Sequence, residues 1–265
     1  MQAVALNALS GWRWVNGGWA LFRTQPLAFF SWAMFISLLL MVASITPPFG
    51  PILFVVLMPA VTVVTLSAGR HAAEGHKMLL GMWLEPLKPS GVLKKLLGMG
   101  ALYLVTCLLL GLIAFMPFAA EVTEALKSLT DANNLSPLLE AVRMPMVIFA
   151  IFYMLMAAIF WYAPVLVAWH QISIMRALFF SGIACWRNKW VFLTYGLTWL
   201  AVFLAIDSAL SLIVWIGVSN TIAATIQVPI NIAAGAVLYC SFYPSYASVF
   251  VATDSEQAPA QPPAS

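Results

Sequence analysis

Long apolar runs separated by short polar interruptions set the plan of the chain. Six of them, at about 27–45, 51–66, 98–116, 145–169, 191–216 and 222–251, predict membrane-spanning helices; each is close to the roughly 20 residues that cross a hydrocarbon core. A different pattern lies between the fourth and fifth runs. In Gln171–Trp190, residues Ile172, Met175, Phe179, Ile183 and Trp186 recur at spacings of three and four, while Arg176, Arg187 and Lys189 supply a polar side. That period predicts an amphipathic helix lying along a membrane surface. Residues 1–25 carry a similar stripe of Leu9, Trp12, Val15, Trp19 and Phe22, with Gly11, Gly17 and Gly18 weakening any continuous helix. Tryptophan at that density favours the headgroup layer. The two amphipathic stretches share a motif. Trp19, Phe22, Arg23 and Pro26 in the first correspond to Ile183, Trp186, Arg187 and Trp190 in the second, and each copy runs straight into an apolar span. A duplicated unit follows, and with it a bundle of two related halves.

The connections refine this plan. Thr46-Pro47-Pro48-Phe49-Gly50 is short enough to join the first two spans only as a hairpin. Pro59 predicts a kink within span two, span four carries Pro164, and the sixth run is long enough to need a tilt, or a break at Pro229 or Pro244. Between Ala68 and Leu97 the chain reads as one or two short surface helices broken at Pro89-Ser90-Gly91. Residues 117–144 read as an acidic loop with a turn at Asp131. Phe160, Trp161, Tyr162 and Trp169 read as an aromatic belt. Residues 1–252 form one integral membrane domain, and the Ala/Pro/Gln/Ser-rich tail at 253–265 is expected to be disordered.

Composition agrees and narrows the function classes. The chain is 63% hydrophobic and 8% charged, against roughly 45–50% and about 25% in ordinary soluble domains. Lipid is the solvent this chain is built for. The net charge of +3 is small, and basic residues do not alternate with aromatics in a run, so nucleic acid is not an expected partner. The odd number of cysteines, Cys107, Cys185 and Cys240, has no paired spacing and reads as reduced packing residues. Ten of the twelve Lys and Arg residues fall in the N-terminal, 68–97 and 170–190 segments, and two in 117–144. The positive-inside rule therefore places both termini and the amphipathic helices on the cytoplasmic side.

Candidate chemistry is sparse. Asp207 is the acid placed within a span, and an ionisable group in hydrocarbon is costly enough to raise a functional question. Gln227 and Asn231, four residues apart around Pro229, could bond it across the bundle either as packing glue or as part of a conducting path. His71, Glu74 and His76 approximate a metallopeptidase spacing, but Gly75 turns the second histidine about 100° off the ligand face. No Gly-x-Ser-x-Gly, phosphate-binding loop or paired acid suggests catalysis. No cofactor is called for, and the methionines read as packing residues. Ala233, Ala234, Gly235 and Ala236 in the sixth run, with Ser241 and Ser245 further on, could admit a close helix neighbour.

With the duplicated element carried by Trp19, Phe22, Arg23, Pro26, Trp186, Arg187 and Trp190, the short outer turns and the six spans, the chain resembles a family of uncharacterised proteobacterial inner-membrane proteins named only as transmembrane proteins. The likeness covers nearly the whole chain; the second unit departs from it in having Trp190 where Pro26 stands. The resemblance implies a bacterial inner-membrane location and a helical fold, and carries over no activity. The reading is an all-α bundle of about six spans with a non-enzymatic, envelope-organising or partner-assembling role. The lipid bilayer is its first partner, and a second copy or another membrane protein is a candidate partner. The alternative is a small transporter or channel built around Asp207.

Overall fold

The computed structural model describes residues 3–78, 80–128 and 135–250; the Asp131 turn, the C-terminal tail and the last residue expected in the sixth span lie outside them. All regular structure in the described residues is helical. In chain order the helices are α1 (Ser10–Thr24), α2 (Pro26–Ser44), α3 (Phe49–Ala73), α4 (Leu80–Trp83), α5 (Val92–Phe115), α6 (Ala119–Ser128), α7 (Ser136–Phe160), α8 (Ala163–His170), α9 (Ile174–Arg187), α10 (Lys189–Trp215) and α11 (Asn220–Phe250). Short 3₁₀ turns precede α5 and α6. Six segments are long and apolar enough to cross a membrane: α2, α3, α5 with α6, α7 with α8, α10 and α11. They form three hairpins. An amphipathic helix leads the first and third hairpins, α1 before α2 and α9 before α10, with a one-residue break in each case.

Several expected boundaries move, each for a physical reason. The expected acidic loop at 117–144 is largely helical, because α6 extends α5 and the first turns of α7 run antiparallel to it. Val92–Ser128 spans 37 residues, or about 55 Å at 1.5 Å per residue, nearly twice a hydrocarbon core of roughly 30 Å. Its charged end carries Glu121, Glu124 and Lys127, all on α6. Arg70 and His71 belong to the last turn of α3, and Lys94 and Lys95 to the first turn of α5; the surface segment between them is shorter than its polarity suggests. The fourth span is two helices, parted at Trp161 and Tyr162 just before Pro164. By contrast, α11 runs unbroken through Pro229 and Pro244.

The N-terminal glycines do not interrupt α1. They are where it meets its neighbours: a Cβ on Gly11 would lie 2.6 Å from the Tyr195 backbone nitrogen, and one on Gly18 2.7 Å from that of Ser241. Backbone-to-backbone approach of this kind replaces the hydrophobic drive that helices lack in lipid. Of the small residues of the sixth run, Ala236, Ser241 and Ser245 are buried and Ser241 takes the close approach of Gly18, whereas a Cβ on Gly235 would meet nothing within 4 Å.

Packing is concentrated in the half of the bundle that holds α1 and α9, called here the proximal half. The eight-residue α8 is at its centre, with Ala163 to Ala168 all buried; a helix apolar all round is a core element. Around it lie the buried parts of α3 (Pro59–Gly69), of α11 from Ala236 onward, and Val92, Leu96 and Met99 of α5. The aromatics expected as a belt are part of this core. Tyr162 is 1% exposed, and Trp161 packs its ring against Phe192, Tyr195 and Phe242. The distal half is open. Leu108, Leu112, Leu204, Leu212, Trp215 and Val228 present bare apolar surface there.

Candidate functional site

The proximal core is tied by side-chain hydrogen bonds that converge on α11. Ser241, Ser245 and Ser248 follow one face at spacings of four and three, and each meets an aromatic from a different element. Tyr195 of α10 donates to Ser241 at 2.6 Å, since the Ser241 hydroxyl is itself spent on the Leu238 carbonyl. Tyr162, at the α7–α8 break, shares a 3.0 Å bond with Ser245, and Trp14 of α1 donates its indole N–H to Ser248 at 2.8 Å. One residue from Ser245, Tyr246 bonds His170 Nε2 at 2.7 Å. The break at Tyr162 frees an amide, which Ser181 of α9 accepts at 2.9 Å while donating to the Ala158 carbonyl. Polar groups in lipid must be satisfied from within the protein, and this seam does so.

Two amides hold the breaks that follow the amphipathic helices. Gln25, after α1, donates to the His76 carbonyl at 2.7 Å and accepts from the Met78 amide at 2.8 Å. Asn188, after α9 and 1% exposed, accepts from the Leu6 amide at 2.9 Å and donates to the Val4 and Ala184 carbonyls. The duplicated elements are placed around these breaks. Trp19 and Phe22 stack at 5.8 Å, Pro26 opens α2, and Arg23 closes α1. In the second unit the Lys189 ammonium lies 4.8 Å from the Trp186 ring and 5.9 Å from that of Trp190, which gives Trp190, the residue that departs from the first unit, a cation–π role. Arg187 ends α9. The apolar stripe of α9 faces outward, with Met175, Phe179 and Trp186 exposed, while Ala177, Ser181, Ala184 and Cys185 pack inward.

The histidine pair at the end of α3 is engaged locally. His71 Nδ1 lies 2.9 Å from the Ser67 carbonyl, and Glu74 accepts from Arg70 Nε at 2.9 Å. That bond to the guanidinium holds the Glu74 carboxyl below its usual range.

Asp207 stands elsewhere. It is exposed in the distal half of α10, where Gln227 of α11 donates to Asp207 Oδ1 at 3.1 Å. Asn231, one turn on, is exposed and makes no hydrogen bond to either among the described residues. The structure thus brings two of the three expected polar residues together and puts them on the outer surface of a hairpin. An apolar cavity of about 380 Å³ between α3, α5, α7, α8 and α11 includes neither. Ser241 and Ser245 were legible as small residues of the sixth run but not as hydrogen-bond partners; Ser248, Gln25 and Asn188 escaped sequence reading, and nothing local marks the distant partners of Asn188.

Six apolar helical segments packed around a hydrogen-bonded, aromatic-lined core define a polytopic α-helical membrane protein. The chain is 33% identical over 257 residues, covering 94% of each sequence, to a probable inner membrane protein of Burkholderia thailandensis. It belongs to that family of inner-membrane proteins. No protein-family model and no solved structure matches it.

Proposed function

We propose that the protein is a non-enzymatic, envelope-organising protein of the inner membrane that assembles with a membrane partner through the distal half of the α10–α11 hairpin. The observation behind this reading is the outward position of the Asp207–Gln227 pair. A carboxylate in the apolar layer is costly unless it pairs or reaches water, and one amide leaves most of its acceptor sites free. A conducting role would want such a group lining an interior path; a partner-binding role wants it on an outer face beside bare apolar surface such as Leu204 and Val228. The ten-to-two distribution of basic residues favours both termini in the cytoplasm and the distal half toward the periplasm.

The test uses Asp207→Asn and Asp207→Leu in the full chain. A photocrosslinking residue at Leu204 should trap a discrete membrane-protein adduct in the wild type. Asp207→Leu should lose that adduct while keeping its folded yield. Ion or solute flux through wild-type protein in liposomes, abolished by Asp207→Asn at unchanged folded yield, would overturn this reading in favour of transport.

A further inference from the structure

The apolar cavity has a shape and a lining that call for a specific kind of occupant. Along α3 it is lined from Phe54 to Leu66, twelve residues or about 18 Å of helix axis, so it is a slot running along the spans. Its volume of about 380 Å³ lies within the roughly 300–1,000 Å³ of small-molecule sites. Pro59 of α3 and Pro164, just after the α7–α8 break, both line the slot. Seven of its fourteen lining residues are aromatic, against 13% of the chain, and such walls favour a flat ring over a flexible chain.

The slot also holds a polar handle at an unusual depth. Tyr103 and Tyr153 both line it and share a 2.9 Å hydroxyl–hydroxyl bond. Two hydroxyls joined by one bond spend one proton and leave the second to donate. Tyr103 lies eight residues past Lys95, about 12 Å along the axis of α5; with Lys95 at the membrane surface, that is well inside a core whose half-thickness is roughly 15 Å. Phospholipid headgroups stay at the surface and do not reach it. A donor left over in hydrocarbon is costly, and the molecule that satisfies it carries an acceptor oxygen in its own apolar part.

We infer that the slot binds a ring-headed apolar lipid of the isoprenoid-quinone class, with a ring carbonyl accepting the spare tyrosine proton and the ring lying among Phe54, Phe160 and Trp161. This site is separate from Asp207 and does not depend on the assembly reading. The probe is decylubiquinone added to the full-length protein in phosphatidylcholine nanodiscs, with quenching of tryptophan fluorescence as the readout, since Trp161 lines the slot. Saturable quenching is expected, unaffected by an equal amount of palmitic acid. Ala157→Trp fills the slot and should abolish the saturable component, while Leu197→Trp on the exposed face should not. Because Ala157→Trp can fail to fold, the double variant Tyr103→Phe/Tyr153→Phe is the second test; it keeps both rings, removes both hydroxyls, and should weaken binding about three- to tenfold, the value of one hydrogen bond. The double variant is required because either tyrosine alone still has a proton to donate. Quenching that only rises linearly with added quinone, displacement by palmitic acid, or unchanged affinity in the double variant would overturn the inference.

Discussion

Gly100 offers the sharpest test of how the bundle is held together. It is buried on α5, and a Cβ there would fall inside van der Waals contact with the Val56 carbonyl group and 2.8 Å from the Val56 Cα on α3. The obstacle is backbone, so no rotamer change relieves it and the two helices must separate. Overpacking of this kind costs about 1–3 kcal/mol, offset by up to about 1 kcal/mol from alanine's better helix propensity. Gly235→Ala is the matched control, because a Cβ there meets nothing within 4 Å and only the propensity gain of about 0.5–1 kcal/mol operates. The difference between the two variants is then on the order of 2 kcal/mol, or about 4–8 °C in midpoint for a chain of this size. Fluorescence-detected size-exclusion thermostability in a mild detergent reads it directly. Equal midpoints for Gly100→Ala and Gly235→Ala would refute the claim that close backbone contact holds α3 to α5.

Asn188→Leu should release residues 3–9, since it strips partners from the Leu6 amide and the Val4 carbonyl at about 1–3 kcal/mol per buried unpaired group; faster amide exchange there with little change in α5 is the expected result. Ser245→Ala and Tyr162→Phe should each destabilise, because each strands the partner's buried hydroxyl, and the double variant should cost less than the sum of the two in a thermal double-mutant cycle. In a cysteine-free version, an impermeant thiol reagent added to intact spheroplasts should modify a cysteine at Ser128 and spare one at Ser90. The reverse pattern would invert the proposed orientation.

The spans were legible because lipid imposes a length and a composition on any helix that crosses it, and the amphipathic helices because their period survives in Met175, Phe179 and Trp186. What was not legible depended on distant partners. Gly11 and Gly18 look like helix breakers until Tyr195 and Ser241 are set against them, and the amide freed by the break before Pro164 is taken by Ser181, on another helix. The 117–144 segment was misread because its charges mark it as outside the membrane, and polarity says nothing of whether a segment outside is coiled or helical. Asp207 was visible as an acid in an apolar run, but which side of the helix faced the bundle could not be read where both sides are apolar. The slot left no signal at all, since its tyrosines lie fifty residues apart.

The lodging of α1 against α10 and α11, with the Val4 amide bound to the Val249 carbonyl at 3.0 Å, has a consequence for biogenesis. α1 is synthesised well before the two helices it packs against most. At about 5–20 residues per second, the 180 or so residues between Gly11 and Tyr195 take on the order of 10 to 40 s to synthesise, and for that interval Trp14 lacks Phe192, Tyr195 and Ser248. Trp12 and Trp19, exposed on its other side, suit α1 to the bilayer surface, where it can be held until the α10–α11 hairpin is inserted beside it.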